Sequence, residues 1–96
     1  MKVTALKYDL DGFPGWVTFM FTDIFDKEWT VTEKLPVVGL EYPVDENEVP
    51  FEFQIETKIL ESYFDETGKE IYKIEFLYDI ESDDGETVFT LYVSKV

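Results

Sequence analysis

The segment Asp79-Ile80-Glu81-Ser82-Asp83-Asp84-Gly85 sets carboxylates at alternating positions, the way a loop begins to surround a calcium ion. A loop of the EF-hand type needs Gly at its sixth position and a bidentate Glu at its twelfth, and here those positions hold Asp84 and Thr90. The Asp-Gly pair is instead the signature of a tight hairpin, which is the reading it receives. Asp9, Asp11 and the run Asp45-Glu46-Asn47-Glu48 supply oxygen ligands without a spacing that fixes a cation, so no metal or other cofactor is expected. Paired carboxylates can act as acid and base across a cleft. With thirteen Glu and nine Asp, however, a pair lies near any chosen point and none is singled out. Ser62, Ser82 and Ser94 have no His to activate them, and no Gly-rich phosphate cradle precedes a helix. The expectation is a protein that is not an enzyme, with no catalytic residue.

Binding is the other chemistry open to these residues. Tryptophan is enriched at interface hot spots and is also a large core filler. Trp16 follows a turn and shares a face with Thr18, Met20 and Thr22, so both roles stay open for it. Trp29 alternates with Val31 and reads as core. Asp45, Glu46 and Glu48 stand between Pro43 and Pro50 and join Trp16 as the candidate binding residues.

The charge balance narrows the partner. Twenty-two acidic residues face eight lysines, with no Arg and no His, for a formal net charge of −14 over 96 residues. Phosphate backbones and anionic membranes repel such a chain, so neither nucleic acid nor membrane is expected. A basic protein would be attracted, although the same charge also serves plain solubility. The lack of Cys and His removes disulfides, thiolate nucleophiles, zinc sites with N or S ligands and imidazole bases. No apolar run approaches the roughly 20 residues that span a bilayer, and no basic segment with an apolar stretch opens the chain, so a cytoplasmic location is the default.

The elements that must position these residues are strands, because apolar and polar residues alternate with period two. Residues 2–9, 16–23 and 28–34 form one predicted meander, with Val17, Phe19 and Phe21 on one face of its second strand. Residues 51–64, 69–78 and 86–94 form another. In its first strand Phe51, Phe53, Ile55, Thr57 and Ile59 share a face, and Leu60 and Phe64 turn apolar on the other, which predicts a bulge or bend near Ile59–Leu60. Tyr72, Ile74, Phe76 and Tyr78 fall on one side of the second strand, and Phe89, Leu91 and Val93 are expected inward on the third. Residues 35–50 hold Pro36, Pro43 and Pro50 and read as an irregular crossover, with Val37-Val38 as a short extra edge strand. The fold class predicted for residues 1–96 is all-β: one domain, a small six- to seven-stranded antiparallel barrel or sandwich of two meanders joined by a Pro-rich crossover.

Phe13-Pro14-Gly15-Trp16-Val17, then Thr22-Asp23, Trp29 and Glu33-Lys34-Leu35-Pro36-Val37-Val38, together with the stretch from Ile80 to Thr87, resemble a group of small uncharacterised bacterial proteins. The resemblance covers about half the chain and implies a bacterial origin and an all-β fold, but no activity and no site. Two functions remain: an inhibitor- or immunity-like interaction module that covers a basic partner surface, or a small-ligand binder or carboxylate-based enzyme with a pocket at a barrel mouth.

Overall fold

The computed structural model describes residues 1–40 and 48–94, without the side chain of Phe89. Strands β1 (Lys2–Asp9), β2 (Trp16–Thr22) and β3 (Glu28–Lys34) form the first antiparallel meander where the alternation predicts it. Val17, Phe19 and Phe21 are buried on the inner face of β2. In β1 the register shifts between Ala5 and Lys7, which leaves Leu6 exposed and returns Tyr8 to the core side.

The predicted strand over residues 51–64 is two strands. β4 (Phe51–Gln54) pairs with β1 and completes a four-stranded sheet of order β3-β2-β1-β4. That ladder closes where the Met1 amino group donates to the Ile55 carbonyl at 3.0 Å and the Ile55 N–H donates to the Met1 carbonyl at 2.9 Å. The chain then changes partner: β5 (Thr57–Phe64) pairs with β6 (Glu70–Glu81), which pairs with β7 (Thr87–Val93) in a three-stranded sheet. The predicted bulge is present as a register shift between Ile59 and Glu61.

Several finer expectations are corrected. Val37-Val38 is not a strand but part of a 3-10 turn over Leu35–Val38, because Pro36 suits a helical first turn and the i, i+3 spacing stacks Leu35 and Val38 on one buried face. Gly39, at φ 80°, ends the turn and donates to the Pro36 carbonyl at 3.2 Å. Of the residues predicted to share one face, Phe53 and Ile55 are buried while Phe51 and Ile59 are exposed: Phe51 opens β4, and Ile59 lies on β5 in the other sheet. Tyr78 is 61% exposed because the β6–β7 register shifts between Glu75 and Ile80, and Ile80 takes the buried place. Leu91 and Val93 are buried as expected, Ile74 and Phe76 are buried too, and Tyr72 packs half-buried against the core. The expectation for Phe89 lies outside the described side chains.

One cluster of buried side chains joins the sheets. Phe19 meets Phe53 edge-on at 5.8 Å, and Phe21 reaches across to Phe76 at 5.6 Å. Each centroid separation lies within the range of favourable ring pairs. The outer edge of β3 is covered by the β6–β7 turn, through a bridge between Val31 and Ser82 and an Asp83 N–H bond to the Thr30 carbonyl at 2.8 Å. Among the described residues the two sheets do not close into a barrel.

Candidate interaction surface

Trp16 stands on the outer face of the first sheet and is 40% exposed. Its cross-strand neighbour Lys34 holds an ammonium 5.7 Å from the ring centroid, a cation–π contact of the kind worth about 0.5–1 kcal/mol at an exposed site. Lys7, Tyr8 and Thr18 line a recess of about 450 Å³ beside it. Asp9, the cross-strand partner of Trp16 on β1, lines the same recess. Glu48 is exposed, and its charge acts on Tyr8: burial first, then Glu48, pushes the Tyr8 phenol above its ordinary value. Trp16 and Tyr8 line the same recess, Glu48 acts on Tyr8 through its charge, and Asp45 and Glu46 lie outside the described residues.

Trp29 is half-buried, stacked on Phe21 at 6.4 Å, with its indole N–H donating to Asp23 Oδ2 at 3.1 Å and the Lys27 ammonium 3.9 Å from its centroid. Of the Asp79–Gly85 run, Asp79, Ile80 and Glu81 end β6, and the rest forms the hairpin turn to β7. The Ser82 N–H donates to the Glu86 carbonyl at 2.8 Å, the Gly85 N–H to the Ser82 carbonyl at 2.9 Å, and Gly85 has φ 85°. Among the described residues no group of three or more Asp or Glu converges as a cation site would require.

A groove of about 560 Å³ lies where the chain changes sheets, between the 3-10 turn and the β5–β6 hairpin. Val38, Ile55, Phe76 and Ile80 supply its buried wall, with Ile59, Leu77 and Tyr78 at its exposed margin. Glu56 is the one carboxylate among its described lining residues, where acid–base hydrolysis of a glycoside would use two. Most of its other described lining residues are apolar.

Next to the groove, every residue of β5 except Thr57 is exposed. Ile59, Leu60, Tyr63 and Phe64 present apolar surface there, continued on β6 by Leu77 and Tyr78. Sequence reasoning passed over this arm, although apolar residues adjacent in sequence, Ile59-Leu60 and Tyr63-Phe64, put such side chains on both faces of one strand. Around it most carboxylates stand free of ion pairs. Among the described residues the pairs are Lys2–Glu52 at 3.4 Å, Lys27–Glu86 at 2.7 Å and Lys58–Glu75 at 3.8 Å, all solvent-exposed.

The molecule is therefore a small two-sheet antiparallel β protein with an acidic surface and an exposed apolar arm. Comparison of the chain with protein-family models, with curated proteins and with solved structures returns no match. No helix among the described residues is long and apolar enough to cross a membrane.

Proposed function

We propose that this chain is a non-catalytic protein-interaction module, inhibitor- or immunity-like, that covers a basic surface of a partner protein in the bacterial cytoplasm. The observation that carries the reading is the β5–β6 arm, where six large apolar side chains stand exposed within a chain of net charge −14. Large apolar side chains left exposed in such number along one hairpin are surface open to a partner, and surplus negative charge steers a cationic one toward it. Of the two architectures, the sandwich is the one supported, since two sheets share one core.

The test is capture from a bacterial extract at about 0.01 M and about 0.15 M salt, because the screening length falls from about 30 Å to about 8 Å between them. A specific partner is expected to associate faster at low salt, and neutralising Asp45, Glu46 and Glu48 together as amides is expected to slow association while stability moves by less than ~1 kcal/mol. Trp16→Ala, if it leaves the fold intact, reports on the off-rate. Recovery of nothing beyond the basic proteins that any polyanion retains would sink the reading.

A second reading has the groove for support. Its volume falls in the range of ligand pockets and its wall is apolar, so a small apolar ligand would fit. Saturable binding of a hydrophobic reporter dye, lost on Ile80→Lys in a still-folded protein, would favour that alternative.

A further inference from the structure

Each strand at the margin of a sheet exposes one row of backbone groups, and three of the four such rows here are short or engaged. The row of β3 meets Ser82 and Asp83, that of β7 accepts the Ile24 N–H at the Tyr92 carbonyl at 2.9 Å, and β4 is only four residues long. β5 has eight residues, pairs with β6 on one side, and among the described residues has no ladder on the other. Unpaired strand edges of this length are templates for another strand.

The two faces of β5 differ. Its cross-strand pairs set Ile59 beside Ile74 and Phe64 beside Glu70 on the face that buries Phe76, and set Lys58, Glu61 and Tyr63 on the opposite one. An added strand would place alternate side chains against Ile59, at the groove, and Phe64, at the far end of β5, and the others beside Glu61. Glu56 and Glu66 flank the strand at its two ends, both exposed. Residues 56–79 carry seven carboxylates against three lysines.

Those charges decide between occupants. A second copy would bring another net −14 against this edge. A basic segment meets no such charge penalty. We propose that the outer edge of β5 is a β-augmentation site for an extended segment of a basic partner protein, whose apolar side chains alternate with Lys or Arg and which adds a fourth strand to the second sheet. This rests on the interaction reading above and names its geometry.

The probe is a fluorescent peptide of about nine residues in which Lys and Val alternate, long enough to span the strand. Its controls are the same composition in block order and the alternating peptide N-methylated at every second residue. The alternating peptide is expected to bind about tenfold or more tighter than either control, as loss of ladder hydrogen bonds implies. It is also expected to protect alternate amides of β5 from hydrogen exchange. Ile59→Lys with Phe64→Lys, both at exposed positions, is expected to abolish the preference while the melting temperature holds. Equal affinity for all three peptides without protection of β5 overturns the edge site and leaves the interaction reading standing. Failure of every peptide to bind at about 0.01 M salt overturns both. Self-association in sedimentation that the double Lys variant abolishes assigns the edge to a second copy and overturns the proposal as well.

Discussion

β2 and β5 are both rich in large apolar residues, yet β2 lies at the centre of the core and β5 lies almost wholly in solvent. The difference comes from neighbours rather than from composition. β2 has a strand on each side and the second sheet beneath it, so Val17, Phe19 and Phe21 are covered. β5 has one neighbour, and its apolar residues fall on both faces, where a single core can cover only one. Period-two patterning specifies a strand; burial depends on what lies across from it.

The largest expected effect separates these two strands directly. Phe19→Ala is expected to cost ~3–5 kcal/mol in urea unfolding, since the ring is fully buried against Phe21 and Phe53. Ile59→Ala, at a side chain 49% exposed, is expected to cost less than ~1 kcal/mol. Similar losses at both sites would mean that β5 is covered in solution.

Next in size is Trp29→Phe, which removes the bond to Asp23 and weakens the Lys27 contact while keeping the ring stacked on Phe21. The expected loss in the same measurement is ~1–2 kcal/mol, because Asp23 also orders the β2–β3 turn by accepting from the Phe25 and Lys27 N–H groups at 2.8 and 3.1 Å.

Legibility followed the same division. The first meander could be read strand by strand, because each of its strands stays in one sheet and local patterning is enough. The bulge at Ile59–Glu61 was legible because apolar residues change face there. The break after Gln54 was not, since Ile55 continues the alternation and only the pairing partner changes. The exposure of Tyr78 was not legible either, because a register shift in the β6–β7 ladder leaves no mark on β6's own pattern. Trp16 and Glu48 could be chosen by residue type, but the pairing of Trp16 with Asp9 and Lys34 depends on cross-strand register that spacing does not contain.

Two smaller predictions compare the β2–β3 turn with the β5–β6 turn, which are built alike. In each, an Asp N–H donates to a carbonyl four residues on, Asp23 to Lys27 at 3.1 Å and Asp65 to Lys69 at 2.9 Å, while the Asp Oδ1 accepts two backbone N–H groups. The position of positive φ holds Asp26 at 58° in the first and Gly68 at 82° in the second. Asp26→Gly is expected to raise the thermal midpoint modestly, by up to ~1 kcal/mol of stability, less the entropy Gly adds to the unfolded chain.

Asp65 supplies the least of these effects and the clearest pH signature. The Thr67 hydroxyl, donating at 2.6 Å, and then the Lys69 N–H hold its carboxyl below the ordinary carboxylate value. A folded-state pKa below the unfolded one stabilises fully above the unfolded value, and the contribution disappears as pH falls through the lowered value. Asp65→Ala is therefore expected to melt earlier than the parent near neutral pH, with the gap narrowing as both are moved below about pH 3. A gap independent of pH would show that the carboxylate's charge has no part in the turn.

The pairing of β1 with β4 bears on how fast the chain finds its structure. The other ladders join strands consecutive in sequence, whereas the Met1–Ile55 bond spans a separation of 54 residues. Hairpins of this kind close in microseconds, so bringing β4 to β1 is the step that must overcome loop-closure entropy. That cost grows only logarithmically, by about 0.6 kcal/mol for each doubling of loop length. Lengthening the crossover between the 3-10 turn and β4 with Gly and Ser is therefore expected to slow refolding by less than about threefold in stopped-flow fluorescence, with the unfolding rate nearly unchanged. The segment with the most prolines and a dense run of carboxylates is thus kinetically permissive, free to vary in length without holding back assembly of the two sheets.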